Sequence, residues 1–79
     1  MILKFYSNSC GPCKVLDKNL KTAGIEFEAI DVHDDKNADL IDKYNIRNIP
    51  TLIKVENDKE IKRNTGILNV EKLKEWVKD

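Results

Sequence analysis

No apolar run in the sequence approaches the roughly 18 residues that a membrane-spanning helix requires. Neither charge is in excess, since fourteen Lys and Arg face fourteen Asp and Glu, and neither sign gathers into a long block. That removes the electrostatic footprint of a protein that binds nucleic acid or an anionic membrane. Cysteine is scarce, with two residues, and histidine scarcer, with one. A closed zinc site takes about four ligands, and two thiolates with the single imidazole of His33 fall short of that within one chain. Gly, Pro and Ser nowhere cluster, so there is no linker, repeat or low-complexity stretch. The opening stretch Met1 to Tyr6 is too short for the apolar core of a signal peptide, which points to the cytoplasm.

What is present suits a small globular protein. The chain is 41% hydrophobic and 35% charged, a balance that supports a packed core rather than disorder. Its 79 residues leave room for one such core, and we read residues 1–79 as a single domain.

Ile2 to Tyr6, interrupted only by Lys4, has the length and bulk of a strand covered on both faces. Pro12 stands where a first helical turn tolerates a missing N–H. Val15, Leu16, Leu20 and Ala23 then follow helical spacing until Gly24 stops the helix. Ile25 to Val32 reads as a second strand. Asp34 and Asp35 open a second helix, with Leu40, Ile41 and Tyr44 as its inner stripe and Asn45 as its left-handed stop. Thr51 to Val55 is a third strand, Asn57-Asp58 a tight turn, and Glu60 to Thr65 a polar edge strand. Asn69 caps a closing helix striped with Val70, Leu73, Trp76 and Val77. The order is β-α-β-α-β-β-α. It implies an α/β fold, with a four-stranded mixed sheet flanked by helices on both faces.

Both cysteines lie in Ser9-Cys10-Gly11-Pro12-Cys13-Lys14. As a staple, a disulfide around Gly11 and Pro12 would restrict the unfolded chain little, and in a reducing cytosol such a pair is more often catalytic or metal-binding. On a helix, residues three apart lie about 5–6 Å from each other, within the span a disulfide bridges. The couple can therefore open and close within one fold. Cys10, at the helix mouth, faces unsatisfied N–H groups that favour a thiolate, so it is read as the nucleophile. Cys13, one turn inside, is read as the resolving thiol. Lys14 either adds positive charge nearby or is simply solvated. Gly11 lets a partner backbone come close and Pro12 stiffens the turn.

Cys-Gly-Pro-Cys-Lys between an apolar strand and a helix resembles the active site of the thioredoxin family. Tyr44-Asn45-Ile46-Arg47-Asn48-Ile49-Pro50-Thr51 is similar to that family's segment before its cis-proline strand, and Thr65-Gly66 to the glycine flanking its substrate groove. The resemblance runs along nearly the whole chain, in order. It implies a thioredoxin/glutaredoxin-like fold and a cis Pro50 packed beside the cysteines. It also implies a groove in which the backbone of Ile49 pairs with an extended substrate while Gly66 keeps the way open. The implied activity is reduction of protein disulfides, with a Cys10–Cys13 disulfide as the redox couple and no bound cofactor or metal. The implied partners are disulfide-containing proteins and an electron donor, either a thioredoxin reductase or glutathione, with the chain acting as a monomer.

The sequence also departs from the family. Lys4 stands where a buried aspartate is usual, and Ser9 where a tryptophan is; Tyr6 takes the place of a second aromatic. Lys4 either lowers a cysteine pKa or snorkels to the surface. Asp31, at the end of the second strand, either substitutes for the missing carboxylate through water or is a solvated loop residue. No stretch corresponds to the family's N-terminal strand and helix. Two other readings are carried: a glutathione-dependent glutaredoxin, whose usual motif is CPYC, and a metal or iron–sulfur module built on the CxxC pair.

Overall fold

In the computed structural model, which describes residues 1–78, strand β1 (Ile2–Tyr6) sorts the core by alternation. Leu3 and Phe5 point to one face of the sheet, where they pack with Ile30, Tyr44, Ile53 and Val55. Ile2 points to the other, with Leu16, Leu20, Leu52 and Leu73. Period-two alternation sends Lys4 and Tyr6 to that second face as well.

Helix α1 (Gly11–Thr22) lays Leu16 and Leu20 on the second face. Its end is a Schellman motif: Gly24, at φ 71°, donates to the carbonyl of Lys21, and the Ile25 amide donates to Leu20 O at 3.1 Å. That use of the Ile25 amide is why the second strand begins late. β2 covers Glu28–Asp31 rather than starting at Ile25, while Ile25 and Phe27 pack against the α1 core instead.

A short 3₁₀ turn, Asp35–Asn37, capped by the Asp34 carboxylate, leads into α2 (Ala38–Lys43). Leu40, Ile41 and Tyr44 cover the first core, and Asn45 stops the helix at φ 51°. β3 (Thr51–Glu56) and β4 (Lys59–Thr65) form a hairpin through Asn57 and Asp58, both at positive φ. The closing helix α3 (Val70–Lys78) is capped by the Asn69 side chain and drives Leu73 into the second core.

The sheet order is β2-β1-β3-β4, with β1 and β2 parallel and the other neighbours antiparallel. α1 and α3 cover one face and α2 the other, so the α/β architecture with a four-stranded mixed sheet is as expected. One stripe residue is not where helical spacing put it. Val15 is 47% exposed, because Leu16 and Leu20 define the inner side of α1 and Val15 lies off their stripe.

Candidate active site

The chain leaves β1 through a turn in which the Cys10 amide donates to Ser7 O at 3.2 Å. This places Cys10 at the N-cap of α1, in extended conformation, with Gly11 and Pro12 as the first helical residues. The Cys10 sulfur does what a capping oxygen usually does: it accepts the backbone N–H of Cys13 at 3.1 Å. No acidic residue occupies the first turn of α1, so no carboxylate competes for those amides. Cys10 and Cys13 are joined as a disulfide, with their Cα atoms 5.2 Å apart. The two sulfurs differ in access: Cys10 is partly exposed, while Cys13 is 2% exposed. Gly11, Pro12 and Lys14 are exposed around them.

Strand register brings further segments to the same end of the sheet. Phe5 pairs with Thr51 across β1 and β3, which puts Pro50 level with Tyr6. The Ile49–Pro50 peptide bond is cis, and Pro50 is fully buried. Gly66 donates its amide to Pro50 O at 2.9 Å, so it stands one strand further along. A Cβ on Gly66 would meet nothing within 4 Å, which leaves open space over this glycine. Ile49 is half-buried against the Phe5 core.

Lys4 neither reaches the surface nor stands free. It is 3% exposed, and its ammonium bonds Asp17 Oδ1 at 2.8 Å. The rings of Tyr6 and Phe27 flank it at 5.0 and 5.2 Å. The snorkelling alternative is thereby replaced by a buried ammonium paired with a partly exposed carboxylate. Asp17 also pairs with Lys21, and the hydrogen bonds from Lys4 and then Lys21 hold its carboxyl below the usual aspartate range. A cavity of about 300 Å³ is lined by Lys4, Tyr6, Ser7, Cys13, Lys14 and Asp17. Cys13, Lys4, Tyr6 and Lys14 thus meet in one place.

Asp31 does not join them. Its carboxylate accepts the His33 amide at 2.9 Å and shapes the turn after β2, and it is not among the residues lining the cavity. Asp17 went unnoticed in the sequence. The available signal was its place one turn beyond Cys13 on α1, with Lys21 a further turn on. Among the described residues, no group of three or more His, Cys, Asp or Glu is placed to hold a metal ion.

The thioredoxin family model matches residues 1–79. The chain belongs to the thioredoxin family. It is 34% identical over 71 residues to the thioredoxin of Mycoplasma genitalium, covering 86% of this chain and 70% of that one. It is 40% identical over 76 residues to thioredoxin-1 of Caenorhabditis elegans, covering 90% and 64% respectively. Among solved structures, a mutant thioredoxin from Halobacterium salinarum superposes with a TM-score of 0.82 at 27% identity, over 98% of this chain and 70% of that one. Fasciola hepatica thioredoxin gives 0.79 at 28% identity, over 98% and 76%. The family match and the joined Cys10–Cys13 pair identify a thioredoxin-like thiol–disulfide oxidoreductase, whose redox couple is the disulfide itself. No helix among the described residues is long and apolar enough to cross a membrane.

Proposed function

We propose that the chain reduces protein disulfides, with Cys10 as the nucleophile and Cys13 as the resolving thiol. The observation that carries this reading is the Cys13 amide aimed at Cys10 Sγ from the first turn of a helix. A donor in that position stabilises negative charge on the sulfur it faces.

In the reduced protein the Cys10 thiolate attacks one sulfur of a substrate disulfide. A Cys10–substrate disulfide forms, and the other half of the substrate leaves as a thiolate that takes up a proton. Deprotonated Cys13 then attacks Cys10 Sγ, closes the Cys10–Cys13 disulfide and expels the second half. Two electrons pass from the protein dithiol to the substrate. An external donor, a thioredoxin reductase or glutathione, returns them.

Ile49, Pro50 and Gly66 line the approach in this reading. Ile49 offers its backbone to an extended peptide as a short added strand, while the open space over Gly66 lets that peptide lie close. Gly11, Pro12, Lys14 and Tyr6 shape the surroundings of the sulfurs. The protein works as a monomeric single domain in the cytoplasm.

Insulin reduction driven by dithiothreitol tests the reading. The wild-type chain is expected to accelerate precipitation of the reduced insulin chains, and Cys10→Ser to abolish the acceleration. Equal rates with and without the wild-type chain would overturn it.

A further inference from the structure

Cys13 is 2% exposed, and burial by itself disfavours a charged sulfur. If Cys13 resolves the mixed disulfide, as proposed above, its thiol must nevertheless lose a proton. Something in its surroundings has to favour the thiolate.

The cavity beside Cys13 supplies the candidates. From β1 it is faced by Lys4 and Tyr6, from α1 by Lys14 and Asp17, and from β2 only by Ala29, which carries no charge. Lys21 approaches through Asp17, whose Oδ2 it meets at 2.9 Å. Three ammonium groups therefore belong to this neighbourhood, of which Lys4 and Lys21 pair with Asp17 while Lys14 lines the cavity. Of the three, Lys14 and Lys21 are exposed, and water screens them. Lys4 is different. Its side chain is 4% exposed, and it is held by the Asp17 carboxylate and by the rings of Tyr6 and Phe27. A buried, immobilised ammonium acts through a lower dielectric than a surface one.

We propose that the Lys4 ammonium favours the thiolate of Cys13 across this cavity, making a buried lysine the group that ionises the resolving sulfur. The Cys13 proton leaves to solvent through the cavity, whose lining includes the exposed residues Asn8, Lys14 and Ala29. Asp17 faces the same cavity, but it serves to hold Lys4 rather than to accept the proton. A carboxylate kept below its usual range by two ammonium groups is a weak base at neutral pH.

The test is a thiolate titration, followed by ultraviolet absorbance, in a Cys10→Ser background where Cys13 is the sole thiol. Lys4→Met is expected to move the titration midpoint up by about 1–3 pH units, a tenfold or greater loss of thiolate near neutrality, and Lys4→Arg to restore most of it. Asp17→Asn is expected to move the midpoint down, because it removes the one carboxylate facing the cavity while both rings still hold Lys4. If Lys4→Met does not fold, Lys4→Gln, which removes the charge but keeps a polar contact for Asp17, takes its place with the same expected rise. A midpoint unmoved in folded Lys4→Met, or unmoved or raised in Asp17→Asn, overturns the inference. The titration needs no exchange activity. A wild-type chain inactive on insulin would sink the exchange reading, whereas an unmoved midpoint in an active chain would sink only this one.

Discussion

The backbone amide of Cys13 donates to Sγ of Cys10 at 3.1 Å, across a single turn at the start of α1. A sulfur thus holds the place of a capping oxygen, and its partner cysteine supplies the hydrogen bond. When the pair is reduced, that bond and the positive end of the helix favour negative charge on Cys10 and not on Cys13. Iodoacetamide at neutral pH is expected to modify Cys10 at least about tenfold faster than Cys13, as read by peptide mass spectrometry. Equal rates would remove the asymmetry.

The Lys4–Asp17 pair makes stability depend on acid. Asp17 has its folded pKa depressed, chiefly by the Lys4 hydrogen bond and then by Lys21. A depressed carboxylate stabilises the fold above its unfolded pKa, about 3.9, and loses that stabilisation as pH falls through the lower folded value. Wild-type stability in urea should therefore decline below about pH 4. Asp17→Asn should be less stable than wild type at neutral pH, with the gap narrowing as the solution is acidified. A gap independent of pH would show that the pair contributes nothing electrostatic.

Two glycines with equal room should respond oppositely to a methyl group. A Cβ on Gly11 or on Gly24 meets nothing within 4 Å, so packing does not distinguish them. Gly24 sits at φ 71° and ends α1, whereas Gly11 lies inside its first turn without a positive φ. Gly24→Ala is expected to cost about 1–2 kcal/mol by forcing a side chain into the left-handed region. Gly11→Ala is expected to stabilise by about 0.5–1 kcal/mol by restricting the unfolded chain. Urea unfolding of the two variants checks both signs.

Much of this protein is legible locally. Gly24, Asn45 and the Asn57-Asp58 turn all lie where left-handed backbone was expected, because short-range sterics decide those positions. Cys10 at the helix mouth follows from three neighbouring residues and Pro12. The late start of β2 was less accessible. It depends on Ile25 giving its amide to Leu20, a bond that the apolar pattern of residues 25–32 does not announce. Lys4 is the clearest case of what local reading misses. Its burial depends on Asp17, thirteen positions away, and on Phe27 from beyond the next helix. Only packing α1 onto the sheet creates that environment. A lysine in a strand, taken alone, is compatible with either a surface or a buried fate.

The roles of the two sulfurs are open to direct capture. Reduced Cys13→Ser and Cys10→Ser variants, each mixed with a disulfide-bonded peptide, can be weighed intact by mass spectrometry after acid quenching. Cys13→Ser is expected to accumulate an adduct of one peptide half on Cys10, while Cys10→Ser stays largely unmodified over the same time. Adducts that form equally on both variants, or only on Cys13, would contradict it.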